Sequence, residues 1–245
     1  MKFGKKVYLE WYRSILLQRR FEEKAAQLYG QQKIKGFCHL YIGQEAITAG
    51  MMSAIKKGDK VITAYRDHGH ALAMGVSANA VMAELFGKET GCTGGKGGSM
   101  HMFSKEHNFV GGHGIVGAQI PMGAGLAFAE KYNNSGNVSL TFFGDGAARQ
   151  GALHEAYNMA MLWKLPAVFI CENNQYAMTV SMEKSTAVKE YSVRGAAYGF
   201  ESDSFFVEAG LKPHDYIQRY AARVEGVHIR DMKDGTLVRA SAGAR

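Results

Sequence analysis

SLTFFGDGAARQGALHEAYNMAMLWKLPAVFICENNQY, residues 139–176, reads as strand, glycine turn, helix, strand and polar turn. Ser139 to Phe143 is an apolar run of strand length, and Gly144-Asp145-Gly146 breaks it. From Ala147 the spacing becomes helical, with Leu153, Tyr157, Met161 and Leu162 along one face. Pro166 closes that helix, and Ala167 to Cys171 is a second apolar run. Strand, crossover helix and strand of these lengths predict a parallel βαβ unit of right-handed connection. The expected fold class is therefore α/β, a parallel sheet with helices on both faces.

Topology then places the chemistry. Asp145 follows the first strand and Asn173-Asn174 follow the second. In an open parallel sheet both positions lie on the edge where ligands bind. An acid and an amide offer hard oxygen ligands, which suit Mg²⁺ better than zinc. Gly146 allows close approach of backbone to a ligand, and the amides of the following helix start favour phosphate. The site drawn from these residues is a divalent ion bridging protein to a diphosphate.

Gly-Asp-Gly alone is common in turns. Followed at this distance by a second strand and Asn-Asn, it resembles the thiamin diphosphate motif. GDGAARQGALHEAYNMAMLWKLPAVFICENNQYAM closely resembles the alpha subunits of the first component of the pyruvate dehydrogenase complex. These belong to the thiamin diphosphate-dependent 2-oxo acid dehydrogenase family. The resemblance implies the thiamin diphosphate-binding fold, and thiamin diphosphate and Mg²⁺ as cofactors. It assigns Asp145 and Asn174 to the metal by side chain, and Tyr176 by its backbone carbonyl. Gly146 and Ala147 would donate amides to the diphosphate, joined by Tyr65 and Arg66. Gly114 and Val116 would touch the aminopyrimidine through their backbone, and His39 would be the catalytic histidine acting on the bound 2-oxo acid.

The same resemblance implies the partners. The expected assembly is α2β2, with a beta subunit supplying the glutamate that tautomerises the aminopyrimidine, and no glutamate here sits in a motif for that role. The acetyl group would pass to a lipoyl-bearing acyltransferase. Branched-chain members tend to carry Glu in place of the Gly-Asp-Gly aspartate and to lack the AYNMAxLWKLP run. Asp145 and AYNMAMLWKLP therefore favour pyruvate as the small-molecule 2-oxo acid. Acetoin or branched-chain oxo-acid dehydrogenation stands as the alternative, and a non-catalytic fragment as the reading from another class.

Composition narrows the classes further. The 245 residues carry 47% hydrophobic residues and 30 glycines, enough for one large turn-rich α/β domain, or one domain and a fragment. No run reaches membrane-span length. The N-terminus shows no secretory core, and Glu10, Glu22 and Glu23 argue against a mitochondrial presequence, so the expected location is the cytoplasm. Cys38, Cys92 and Cys171 are scattered and odd in number, which points to a reducing compartment rather than a disulfide framework or zinc site. The net charge of +7 arises largely in residues 1–35, where nine Lys or Arg face three Glu. No nucleic-acid motif accompanies them. A solvated helix face or an acidic partner explains the charge.

Elsewhere along the chain, Lys5 to Gln32 reads as one helix with Tyr8, Trp11, Ile15, Leu16, Ala25 and Leu28 as its apolar stripe. Arg19-Arg20-Phe21-Glu22-Glu23 places acids beside bases on the outer face. GFCHLYIGQEA, residues 36–46, holds His39 in a loop before a helix that runs to about Ile55. Lys60 to Ala64 is a strand, and Tyr65-Arg66 at its end can bond phosphate oxygens. His68 and His70, two apart, make a poor zinc pair and read as a positive rim where substrate enters. Ser77 caps a helix that buries Val81, Met82 and Leu85. The glycine-rich run Gly91 to Met102 lacks the P-loop spacing and reads as a structural loop packed by the active site. A helix rich in small residues is expected from Gly123 to Lys131, and a further helix from Thr186 to Ala197.

The resemblance covers residues 5–202. The expected domains are a dehydrogenase alpha-subunit domain over 1–202, truncated at its C-terminal end, and an unmatched tail over 203–245. A chimeric or frame-shifted end explains that tail better than a second function does.

Overall fold

The structure, a computed structural model, describes residues 4–200 and, beyond them, only the antiparallel pair Met232–Lys233 and Thr236–Leu237. The remainder of the expected tail lies outside the described residues. The chain forms two compact units, Met1–Lys57 with Thr63–Gly114, and Gly58–Ile62 with Ile115–Arg245. No helix among the described residues is long and apolar enough to cross a membrane.

The first unit is mostly helical: α1 (Lys5–Gly30), α2 (Glu45–Met51), α3 (His68–Ala73) and α4 (Ala78–Leu85). α1 has the expected length but buries a different stripe. Gln18, Phe21, Glu22 and Ala25 are its buried residues, while Tyr8 and Leu16 are exposed. The buried set is spaced i, i+3, i+4, i+7, one face of a helix. Polar groups belong to it because they find partners across the interface: the Thr48 hydroxyl on α2 donates to Gln18 Oε1 at 2.9 Å. Glu22 is therefore not on the outer face as expected. Arg20 pairs with Glu23 at 2.8 Å, whereas Arg19 turns to Glu45 at 2.6 Å. Ser77 caps α4 as expected, accepting from the Ala80 amide at 3.1 Å. Val81 and Leu85 are buried and Met82 is half-buried.

A four-stranded sheet has the order β2-β1-β3-β4, built from β1 (Lys60–Ala64), β2 (Phe109–His113), β3 (Ser139–Gly144) and β4 (Ala167–Glu172). β2 is a strand that the sequence pattern does not announce, because its Gly-Gly-His run lacks a strand's alternation. β3 pairs in parallel with β4 from Ser139↔Ala167 to Gly144↔Glu172, and with β1 from Lys60↔Ser139 to Ile62↔Thr141. In the second unit, α5 (Gln119–Tyr132) and α6 (Gly151–Leu162) pack on one face of β3 and β4. Their core joins Ile120, Ala124 and Ala127 to Leu153, Ala156, Tyr157 and Ala160, over Phe143, Ala167 and Phe169. Each large side chain so buried contributes roughly 1.5–3 kcal/mol. Leu140, Phe142 and Ile170 alternate onto the opposite face and are buried too, as a parallel sheet covered on both faces requires.

Several boundaries differ from expectation: α2 ends at Met51 and not near Ile55, and α5 begins at Gln119 and not at Gly123. The helix expected from Ala147 begins at Gly151, and Ala147–Arg149 forms a single 3₁₀ turn. Gln150 is extended (ψ 142°) and separates the two. Leu153 and Tyr157 are buried as expected, but Leu162 is exposed, since its place along α6 is about half a turn out of phase with Leu153. After β4 come a short hairpin, β5 (Tyr176–Ala177) with β6 (Val180–Ser181), then α7 (Met182–Ser185) and α8 (Ser192–Ala196). Of the helix expected over 186–197 only α8 forms: Thr186 is extended (φ −138°, ψ 132°) and residues 187–191 lie outside any helix.

Candidate functional site

The second unit brings the acid and the amide to one edge. Gly144↔Glu172 is the last register pair, so Asp145 and Asn173-Asn174 leave the sheet side by side. The β5 hairpin then passes over the Gly-Asp-Gly turn. A Cβ built on Gly146 would lie 2.6 Å from the Ala177 Cβ, so the close approach here is of the protein's own ribbon. Gly146 itself has φ −65° and ψ −42°, conformations open to any residue.

Asp145 is 1% exposed, and its Oδ2 is buried without a hydrogen-bond partner. The guanidinium of Arg149 stands 3.8 Å from that oxygen. Burial raises the carboxyl above its ordinary value, opposed by the amides of Asp145 and Gly146 and by the Arg149 charge. A buried carboxylate oxygen with no donor suits a cation. The Asn174 side-chain oxygen accepts from the Tyr176 amide at 3.1 Å, which folds residues 174–176 into a tight turn and leaves that oxygen a second lone pair. Gln175 takes the left-handed conformation (φ 69°) that this turn needs. Among the described residues no three His, Cys, Asp or Glu side chains cluster for a metal. The donors here are instead one acid, one amide and a carbonyl, an oxygen set that fits Mg²⁺. Ala147 is buried in the 3₁₀ turn and Tyr176 is exposed. Val116 also belongs to this unit, in the exposed turn before α5.

The first unit gathers the other expected residues. The ring of His39 lies 4.7 Å from that of Tyr65 and 6.3 Å from Phe37. Arg66 donates to the Leu40 carbonyl at 2.6 Å, with its guanidinium 5.8 Å from the Tyr65 ring centre. Tyr65, Arg66 and His39 are all half-buried. Burial lowers the His39 pKa, and the positive charges of Arg66 and His68 lower it further. Gly114 follows β2 close to His101: a Cβ there would be 3.1 Å from Nε2.

Three acids in this unit, Glu22, Asp67 and Glu84, are buried. Glu22 is fully buried and bonded to His68 Nδ1 at 3.0 Å. His68 and His70 have no exposed surface, so they form no rim. Both sit on α3 facing inward, His70 4.9 Å from the Tyr41 ring. Asp67 Oδ2 accepts from the Met102 amide at 2.9 Å. Glu84, on α4, fills the centre of the glycine-rich loop. Its Oε2 accepts from Thr93 and Gly95 at 2.8 and 2.9 Å, and its Oε1 from Gly97 and Gly98 at 2.7 and 3.1 Å. Burial would raise this carboxyl, but those donors hold it below the usual range. Gly95 has φ +73° and no room for a side chain, 2.5 Å from the Gly87 backbone. The loop resembles an anion nest because it is one, and its anion is internal. The one sequence signal for Glu84 was an acid on the buried side of α4, in phase with Val81 and Leu85.

A parallel α/β sheet with an acid and an amide at adjacent strand ends defines a class of proteins that hold a ligand at that edge. The chain belongs to the family described as Dehydrogenase E1 component, whose match spans residues 13–203. It is similar to proteins named "Pyruvate dehydrogenase E1 component subunit alpha". That of Rhizobium meliloti is 61% identical, over 94% of this chain and 67% of its own length. That of Zymomonas mobilis is 59% identical, over 78% and 54%. The Dictyostelium discoideum relative, named as mitochondrial, is 53% identical, over 87% and 56%. The chain thus spans between about half and two thirds of the length of these relatives. The Rhizobium match covers more of the chain than residues 1–202 contain, so it continues past the end of the family match.

Proposed function

We propose that this chain is the alpha part of a pyruvate dehydrogenase first component, acting with thiamin diphosphate and Mg²⁺ in an α2β2 assembly with a beta subunit. The observation that carries the reading is the buried, donor-free Asp145 Oδ2 beside the Asn174–Tyr176 turn. Relatives named for pyruvate dehydrogenase at 53–61% identity support the substrate, as do Asp145 and the separate AYNMAMLWKLP run.

Thiamin diphosphate, when bound, supplies the electron sink for loss of CO₂ from a 2-oxo acid. This chain's residues would hold and orient it. Asp145, the Asn174 side chain and the Tyr176 carbonyl would take the metal. The amides of Gly146 and Ala147, with Tyr65 and Arg66, would take diphosphate oxygens, Arg66 by a forked pair of hydrogen bonds. The backbone of Gly114 and Val116 would meet the aminopyrimidine. His39, held neutral by burial and nearby positive charge, would donate a hydrogen bond to charge developing on the 2-oxo acid. The acid that serves the aminopyrimidine would come from the beta subunit. In support, Glu22, Glu45, Glu84 and Glu130 are each engaged by groups of their own unit. The acetyl group would leave on a lipoyl-bearing acyltransferase.

The test uses the chain assembled with a beta subunit. Titration with thiamin diphosphate in Mg²⁺ measures binding, and an artificial electron acceptor measures oxidative decarboxylation of pyruvate, acetoin and branched-chain oxo acids. Asp145→Ala should abolish Mg²⁺-dependent cofactor binding. Unchanged affinity would make the Gly-Asp-Gly segment an ordinary turn. Turnover confined to acetoin or branched-chain acids would replace pyruvate, and an assembly inert to all of them would favour a non-catalytic fragment.

A further inference from the structure

The loop from Gly36 to Gly43 has no strand or helix to hold it, yet three consecutive residues in it are each fixed by a side chain from elsewhere in the first unit. The His39 N–H donates to Ser99 Oγ at 3.0 Å. The Leu40 carbonyl accepts from Arg66 at 2.6 Å. The Tyr41 N–H donates to Glu22 Oε1 at 3.0 Å. The two outer anchors are themselves joined: His68 Nδ1 lies 3.0 Å from Glu22 Oε2, and His68 Nε2 lies 2.8 Å from Ser99 Oγ. The result is a closed ring, Tyr41 to Glu22 to His68 to Ser99 to His39, with Leu40 completing it along the backbone.

We propose that Glu22, His68 and Ser99 are positioning residues, which hold the backbone of residues 39–41 and thereby aim the His39 imidazole. This rests on the role proposed above for His39. The ring draws on three distant segments: α1, α3 and the glycine-rich loop. Glu22 and His68 have no exposed surface and Ser99 is 5% exposed. In so dry a place an unpaired polar group is costly, so each member constrains the others. Burial would lower the His68 pKa, but the Glu22 charge and hydrogen bond raise it, which strengthens the link. Acid, imidazole and hydroxyl in line are also the parts of a nucleophilic triad. Here the serine oxygen is occupied by the His39 N–H and buried, so it acts on the loop and not on a substrate.

His39 carries no side-chain hydrogen bond of its own among the described residues; its ring is placed by its backbone and by contact with Tyr65 and Phe37. A loosened backbone therefore moves the ring directly, and an error of 1 Å at a reacting group costs about 10²-fold in rate.

The experiment uses the chain assembled with its beta subunit and compares wild type, Ser99→Ala, Ser99→Thr and His68→Gln. Amide hydrogen exchange is read at residues 39 and 41, beside kcat for pyruvate and the affinity for thiamin diphosphate. Ser99→Ala should speed exchange at His39 by about tenfold, the effect of losing one such bond. It should lower kcat by roughly 10- to 100-fold while leaving cofactor affinity within about threefold. His68→Gln should speed exchange at both residues, and Ser99→Thr, which keeps the hydroxyl, should retain slow exchange and most of kcat. Unchanged exchange at His39 in Ser99→Ala overturns the clamp. Faster exchange with full kcat, or kcat and cofactor affinity lost together, overturns the positioning role. A wild-type assembly without 2-oxo acid turnover would instead count against the proposed function, and exchange would still decide the clamp.

Discussion

Gly146→Ala adds one methyl group where the β5 hairpin crosses the Gly-Asp-Gly turn. The new Cβ would sit 2.6 Å from Ala177 Cβ and 3.8 Å from Arg149 Nη2. Carbon atoms in contact prefer roughly 3.5–4.0 Å, so the ribbon at Ala177 must retreat by about 1 Å. Backbone strain does not enter, since φ −65° and ψ −42° suit alanine. Overpacking of this kind costs about 1–3 kcal/mol. If the turn keeps its shape, that energy appears as lost stability in urea unfolding. If the ribbon gives way, it moves the Tyr176 carbonyl. Mg²⁺-dependent affinity for thiamin diphosphate then falls by roughly 5- to 140-fold, at 1.4 kcal/mol per factor of ten. Adding Ala177→Gly removes the opposing methyl and should recover most of the loss, a coupling that a double-mutant cycle measures directly. The reasoning fails if Gly146→Ala unfolds and binds like wild type. It fails equally if Ala177→Gly restores nothing, in which case the glycine makes room for the ligand rather than for the hairpin.

Glu84→Ala removes the acceptor of four backbone amides at once and should destabilise the first unit by more than about 3 kcal/mol, with faster proteolysis within residues 91–102 as the readout; wild-type resistance would show that the glycine loop holds itself. For Asp67, burial pushes the carboxyl up to about 8, against the pull of His68 and the Met102 amide. The folded chain then keeps a proton that the unfolded chain sheds near pH 4, so this contribution to stability is full below that value and is lost as pH rises toward 8. Asp67→Asn should flatten the decline of the urea midpoint across that range, and an unaltered slope would place the effect on another group.

The parallel pairing of β3 and β4, the Ser77 cap, and Asp145 and Asn174 at one sheet edge were all legible in the sequence. Each follows from short-range rules: side-chain periodicity, the punctuation of glycine and proline, and the single edge to which parallel strands deliver their ends. That the glycine-rich loop is structural and not a nucleotide loop was legible too, but not that its amides converge on an acid. Only the folded unit brings Glu84 under amides 9–14 residues away. Glu22 shows the limit most plainly. Within Arg-Arg-Phe-Glu-Glu it looks like one half of a surface ion pair, and its neighbour Glu23 is that. What turns Glu22 inward is His68, 46 residues further on, with a ring nitrogen at 3.0 Å. A helix pattern reports which residues share a face. It does not report whether a polar residue on that face will meet a donor, and a buried carboxylate is tolerated only where the tertiary structure supplies one.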